Sequence, residues 1–420
     1  MQKLLFSLLA LSLLAAAQTP IIFVHGNGDD ATKWLPVIWM FESNGYRADR
    51  LFAIRFTDPV ARRENHRAEP FRSSTTDQAS ELSALVTRVL LETGEKKVAL
   101  VGSSRGGMTI RNYLKNAGGA AVVSHAVLCG TPNHGVMQMD TGLEGEFNGK
   151  GHFLRQLNEG SEVVEGVKFL TLRSDKMDKF AQPNVGYDGP ELKGAENVVL
   201  PGLDHREVAF HPLAFAQTYR FLTGAAPSVA KVMAETKPTL SGVVTGFAGM
   251  AATNRPVAGL RFRVFALQAG TAERDGEAVL DLTTPETGAW GPLAVQPERE
   301  YEFVLEKDGR VVRYFMAGLL RSTPLLNFRF LPAAAMEGLR GPRLLVHRPQ
   351  GYLSKGRDAL TMDGAAVEAL LPGVPTRDSV AVAVPEAKKA GVRVELRGEV
   401  VHARAAEAEH EMNVVELIWE

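Results

Sequence analysis

A serine hydroxyl attacks a carbonyl carbon only when a histidine takes its proton, and that histidine needs a carboxylate to fix its tautomer. One serine sits where such chemistry is built. Gly102-Ser103-Ser104-Arg105-Gly106-Gly107 follows the apolar run Lys97–Val101 and precedes a segment, Met108–Asn116, that reads as a helix ending at Ala117-Gly118-Gly119. Only Ser104 has glycines two residues to either side, since Ser103 would need them at Val101 and Arg105. At so sharp a strand-to-helix turn the serine is held in strained backbone geometry with its hydroxyl exposed, and a Cβ at either glycine would collide with the neighbouring strand or helix.

Position along the chain sorts the ten histidines. With such an elbow the partners follow in the order serine, acid, histidine, each at the carboxyl end of a strand. His25 follows the first strand, and His66 and His125 come too early or fall within an element. His134 and His152 precede any acid loop, while His347, His402 and His410 lie in a later β-rich region. His205, in Pro201-Gly202-Leu203-Asp204-His205 after the run Val198–Leu200, has the right place; His211, followed by Pro212, reads as the residue that opens the next helix. The acid is expected in Arg173-Ser174-Asp175-Lys176-Met177-Asp178, where Asp175 and Asp178 are both within reach, and Asp204 reads as shaping the histidine's loop. Attack also puts negative charge on the carbonyl oxygen, to which backbone N–H groups must donate hydrogen bonds. The expected donors are the N–H of Arg105 and that of Asn27 in His25-Gly26-Asn27-Gly28-Asp29, with the His25 ring as a brace.

The elements that must position these residues alternate between apolar strands and amphipathic helices from Gln18 to about Gly224. Strands are expected at Ile21–Val24, Val98–Val101, Val122–Leu128, Val167–Leu172 and Val198–Leu200. The helix before the elbow has Thr75 and Gln78 at capping-box spacing, apolar Leu82, Leu85, Val86, Val89 and Leu90 on one face, and Gly94 as its stop. Strands separated by helices imply a mostly parallel sheet with helices on both faces. Beyond Ala225-Ala226-Pro227-Ser228 the period drops to two: Leu260–Val264 alternates, and Tyr301–Leu305 with Val311–Phe315 forms a hairpin across Asp308-Gly309. Further short strands are expected at Val380–Val384, Val392–Leu396 and Val414–Trp419. The expected domains are 18–225, a β-sandwich over 237–332 and a second β-rich unit over 340–420.

The chain of 420 residues carries a net charge of −1, so nothing in its electrostatics calls for nucleic acid or an anionic membrane. Lys3, the apolar run Leu4–Leu14 and Ala15-Ala16-Ala17 read as a cleavable export signal over residues 1–17, which places the mature protein outside the cell or in the periplasm without an integral membrane segment. Cys129 is the only cysteine and reads as a buried core thiol. No metal-ligand spacing and no phosphate-cradling loop appears, so no cofactor or metal is expected. Val136–Leu154 is a long connection rich in Met, Leu, Phe and Gly that reads either as a mobile lid or as a packed insertion. A second long loop, with Arg62, Arg63, His66, Arg67 and Arg72, reads first as a solvated face.

Together, Ile21–Gly28, Gly102–Gly107 and Leu203–His205 resemble the α/β-hydrolases of the bacterial lipase and esterase type, over roughly the first 225 residues. Cys129-Gly130-Thr131-Pro132-Asn133-His134-Gly135 is similar to a Gly-Thr-Pro turn found after the next strand in lipases, while the elbow departs from the commoner lipase form in carrying Ser103 where histidine is frequent. Asp178-Lys179-Phe180-Ala181-Gln182-Pro183 resembles the acid-apolar-proline run of the acid loop, which favours Asp178 over Asp175. Leu240–Leu305 looks like a transthyretin-type or carboxypeptidase-regulatory-type sandwich, and the whole resembles prokaryotic lipases whose C-terminal β-domain contributes to lipid binding. The resemblance implies an α/β-hydrolase fold followed by β-sandwich domains, and a secreted serine hydrolase of carboxylic esters with catalytic Ser104, Asp178 and His205. The implied partner is an ester or lipid substrate, met at an interface through the β-domains. A short-chain esterase, a polyester depolymerase and an acyltransferase are the enzymatic rivals, and a surface-binding protein on a degenerate hydrolase is the non-enzymatic one.

Overall fold

Six short strands form a wholly parallel sheet: β1 (Ile21–Val24), β2 (Leu51–Ala53), β3 (Val98–Ser103), β4 (Val123–Cys129), β5 (Lys168–Arg173) and β6 (Glu196–Val199), in the order β2-β1-β3-β4-β5-β6. The computed structural model describes residues 18–181, 186–332, 334 and 340–418; the export signal expected over 1–17 lies outside the described residues. Side chains alternate across a strand, so each strand feeds two cores. Ile21, Phe23, Val101, Val127 and Leu170 pack against α1 (Leu35–Ser43) and α6 (Pro212–Thr223) through Phe41 and Phe215. On the other face Ile22, Val24, Leu100, Ala126 and Leu128 meet α2 (Thr75–Thr93) and α3 (Arg105–Asn116) through Leu82, Val86, Ile110 and Tyr113. Two shorter helices, α4 (His152–Asn158) and α5 (Glu207–Phe210), complete this part.

Two local expectations shift. The capping box of α2 is Ser74 with Asp77, one residue before the expected Thr75 and Gln78, while Gly94 ends the helix at φ 69°. Thr75 and Gln78 are spent elsewhere: Thr75 donates its N–H and hydroxyl to the Glu146 carboxylate, and Gln78 accepts from Thr109 Oγ1 at 2.8 Å. Strand β6 begins two residues before the expected Val198, at Glu196, because an edge strand tolerates the exposed Glu196 and Asn197 that an apolar run excludes.

The β region carries β7 (Thr239–Ala248), β8 (Ala251–Pro256), β9 (Arg261–Ala266), β10 (Leu280–Thr283), β11 (Ala289–Ala294), β12 (Tyr301–Lys307), β13 (Arg310–Met316), β14 (Phe328–Arg329) and β15 (Arg343–His347). The short β16 (Thr361–Met362) and β17 (Ala365–Ala366) come next, then β18 (Ser379–Ala383), β19 (Val392–Leu396), β20 (Glu399–Ala403) and β21 (Glu411–Glu416). Hairpin β12–β13 turns at Asp308 and Gly309, whose φ values of 51° and 71° are those a two-residue turn requires. The boundary expected between 332 and 340 does not separate two sheets. A seven-stranded sheet, β10-β9-β12-β13-β21-β15-β18, takes strands from both segments, with β21 inserted parallel between β13 and β15. One of its faces, with Phe262, Phe303, Tyr314 and Val414, packs on β7, β11 and β14 through Val244, Trp290 and Phe328; the other, with Phe315, Val346 and Val415, packs on β19 and β20 through Val394, Leu396 and Val401. The region therefore has three β layers around one shared sheet, because alternation specifies a strand's faces but not its distant partners.

The hydrolase part and the β region also share a core. Helix α1 is apolar nearly all round, and Leu35 and Trp39 belong to the first β core, with Trp39 Nε1 donating to Ser322 O at 3.2 Å. Among the described residues no helix is long and apolar enough to cross a membrane.

Candidate active site

Ser104 has φ 52° and ψ −123°, a conformation L-residues rarely adopt, at the junction of β3 and α3. The surroundings hold it there. Its N–H donates to Cys129 O at 2.8 Å; a Cβ on Gly102 would lie 2.7 Å from Ile110 Cδ1, and one on Gly106 would lie 2.7 Å from His25 O and press on the Val24 carbonyl. Both elbow glycines thus let α3 leave the sheet at close quarters.

His205 Nε2 lies 2.9 Å from Ser104 Oγ, and His205 Nδ1 lies 3.0 Å from Asp178 Oδ2. Nδ1 faces a carboxylate, which only accepts, so the proton sits on Nδ1 and Nε2 keeps its lone pair for the hydroxyl. Both His205 and Asp178 are almost fully buried. The Asp178 side chain is fixed by Phe180 N–H donating to Oδ1 at 2.8 Å, and the Phe180 ring stands edge-on to His205 at 4.5 Å. Asp175 is not brought to the histidine: its carboxylate accepts from Met177 N–H at 3.1 Å and shapes the turn that delivers Asp178. His211 caps α6, accepting from Leu213 N–H at 3.1 Å.

Arg105 heads α3, where the first N–H groups of a helix have no intrahelical acceptor. The loop bearing Asn27 passes close by, since a Cβ on Gly26 would lie 3.2 Å from Ser104 Cβ. Among the described residues neither the Asn27 nor the Arg105 backbone N–H has an acceptor. Asn27 is oriented by its own Oδ1, which accepts from Ala61 N–H at 2.7 Å. His25 donates from Nδ1 to Gly26 O at 3.0 Å and accepts at Nε2 from Phe56 N–H at 3.3 Å, so both nitrogens are engaged in the neutral ring. Burial, which lowers its pKa, keeps it so.

Several contributors escape a reading by motif. The Arg105 guanidinium is fully buried, ion-paired to Glu146 and donating to Pro59 O at 3.0 Å. Glu146 belongs to the long connection after β4, and Asn148 there donates to Met139 O at 2.9 Å and Thr141 O at 3.0 Å. That connection is pinned under the elbow, the packed of its two sequence readings, although Met137 and Met139 face solvent. The arginine-rich loop is held by ion pairs of its own: Arg62 with Asp77 at 2.7 Å, Arg72 with Glu69 at 3.1 Å, and His66 with Glu144 at 3.0 Å.

The loop of His205 is itself a reciprocal capping box. Asp204 Oδ1 accepts from the N–H groups of Arg206 at 2.8 Å and Glu207 at 3.0 Å, and Asp204 N–H donates to Glu207 Oε2 at 2.7 Å. Burial pushes the Glu207 carboxyl up, but Arg348 and Arg357 outweigh it and hold the pKa at about 2, below its ordinary 4.5. A carboxylate depressed on folding stabilises above its unfolded pKa and loses that contribution as pH falls through the folded value. The stability advantage of wild type over Glu207→Gln, read as a urea midpoint, is therefore expected to shrink as pH is lowered from about 5 towards 2. A constant gap across that range would contradict it.

A parallel sheet with a serine elbow after its third strand, and an imidazole and carboxylate in line at two later strand ends, is the arrangement of the α/β-hydrolase fold. Residues 18–151 match the family model of class 2 lipases, and residues 237–332 that of the lipase C-terminal domain. These two matches support an ester hydrolase whose α/β-hydrolase fold is followed by a C-terminal β region. Solved structures it is similar to include Aspergillus fumigatus lipase B, at 17% identity over 51% of this chain and 54% of that chain with a TM-score of 0.41. Mature Bacillus licheniformis lipase BlEst2 is another, at 20% identity over 50% and 93% of the two chains with a TM-score of 0.39. Legionella pneumophila phospholipase PlaB matches at 13% identity over 75% and 94% with a TM-score of 0.35. The chain thus spans about half the length of the Aspergillus lipase.

Proposed function

We propose that this chain is an exported serine hydrolase that cleaves carboxylic esters, lipid esters first among them, through an acyl-enzyme on Ser104. The observation that carries the reading is the relay of 2.9 Å and 3.0 Å from Ser104 Oγ through His205 to Asp178. Ser104 Oγ attacks the ester carbonyl as its proton passes to His205 Nε2, and the imidazolium is stabilised by Asp178. The N–H groups of Asn27 and Arg105 donate hydrogen bonds to the oxyanion. Collapse of the tetrahedral adduct expels the alcohol, which takes the proton from His205. Water, deprotonated by His205, then attacks the acyl carbon, releases the acid and restores Ser104.

Lipid esters are favoured by the solvent-facing Phe71, Met137, Met139 and Phe180, which give the surface apolar contacts for an insoluble substrate. Lys3, Leu4–Leu14 and Ala15-Ala16-Ala17 support export. The pinning of the 136–151 connection through Glu146 and Asn148 supports a second reading, an esterase of short soluble esters that needs no lid movement. Turnover of p-nitrophenyl esters from acetate to palmitate separates the two. Rates rising with chain length and with an emulsified interface are expected; a maximum at two to four carbons with no interfacial gain selects the esterase, and no turnover of any ester overturns both.

A further inference from the structure

Every residue flanking His205 is tied to the segment 348–378 of the β region. Arg348 is fully buried; its Nη2 donates to Glu207 Oε1 at 2.6 Å, its Nη1 to Tyr352 O at 2.9 Å, and Nη1 lies 3.8 Å from Asp204 Oδ2. One guanidinium therefore spans both ends of the capping box that encloses His205. Arg357 repeats the bridge, with Nη2 donating to Asp204 Oδ2 at 3.1 Å and Glu207 Oε1 at 2.9 Å, and Tyr352 N–H donates to Asp204 Oδ2 at 2.7 Å. Arg206, next to the histidine, donates to Asp378 Oδ2 at 2.6 Å and lies over the Tyr352 ring. The acid loop is caught as well, by Lys179 Nζ donating to Thr376 O at 2.7 Å.

We propose that Arg348 is a positioning residue for His205, so that the 348–378 segment of the β region holds the catalytic histidine in register with Ser104. The inference rests on the proposed role of His205. The physical case is geometric. Asp204 and Glu207 close the turn only from within, and at 0% and 1% exposure their charges have no water to answer them, so the arginines supply both the counter-charge and the direction in which the turn is drawn. The guanidinium fits because it is planar and forked, donating to Glu207 and Tyr352 at once, and because Gly351, without a Cβ, leaves room for it. The β region thus acts on the chemistry through the histidine's turn, in addition to any contact with substrate, and a displacement of about 1 Å at the imidazole is enough to cost about a hundredfold in rate.

The test is steady-state kinetics of the full-length protein on p-nitrophenyl butyrate. Arg348→Met is expected to lower kcat by tenfold to a hundredfold with KM within about threefold, and Arg348→Lys, which keeps the charge and loses the fork, to recover part of that loss. Glu302→Gln is the stability control: Glu302 is fully buried and its partners Arg274, Arg313 and Arg404 all belong to the β region. It is expected to lower the melting temperature while leaving kcat within twofold. Should Arg348→Met fail to fold, Arg357→Met, at a partly exposed residue, carries the same expectation with a smaller drop. A folded arginine variant with wild-type kcat, or a parallel fall in Glu302→Gln, overturns the proposal. Turnover retained in Ser104→Ala would overturn the catalytic reading instead, which keeps the two failures apart.

Discussion

Ser104→Ala is expected to lower kcat on p-nitrophenyl butyrate by about 10⁴-fold or more, with the thermal unfolding curve essentially unchanged. The large loss follows, on the proposed mechanism, from removing the one oxygen that attacks the ester. The unchanged fold follows from what holds the elbow: the Ser104 N–H bond to Cys129 O and the close approaches at Gly102 and Gly106 do not involve the hydroxyl. Asp178→Asn is expected to cost about 10³- to 10⁴-fold, because an amide no longer fixes the proton on His205 Nδ1. Asp175→Asn should stay within about threefold, since an amide oxygen still accepts from Met177 N–H. If instead Asp175→Asn were crippled and Asp178→Asn active, the assignment of the acid would be wrong.

Glu146→Ala is expected to destabilise the fold by about 3–5 kcal/mol, the cost of leaving a buried charge without its partner. Arg105 has no exposure at all, and Glu146 is its carboxylate as well as the acceptor for the N–H and hydroxyl of Thr75 at the head of α2. Its loss strands three polar groups in the interior beside the elbow. Glu144→Ala, two residues away and about half exposed, is expected to change stability by no more than about 0.5 kcal/mol. Urea unfolding of both variants decides the matter, and equal midpoints would refute the buried anchor.

How much of this was legible before folding depends on the distance over which each signal acts. The elbow glycines, the Pro201–His205 turn, the stop at Gly94 and the Asp308-Gly309 hairpin are local, because backbone sterics and short-range caps act within a few residues, and they lie where their residue types put them. The capping box of α2 slipped by one position because Thr75 was claimed by Glu146, 71 residues away. The two β units merged because β21 pairs with β13 and β15 across a long gap, which a period of two does not encode.

The sequence by itself therefore determined the strand–elbow–helix unit and the order in which serine, acid and histidine follow one another, since these need only local turns and alternating apolar elements. Tertiary structure decided which of Asp175 and Asp178 faces the imidazole, that Glu146 anchors Arg105, and that Arg348 and its neighbours brace the histidine's turn. Each of those depends on charges and carbonyls far apart in the chain meeting where water is excluded, and partners of that kind carry no spacing from which to read them.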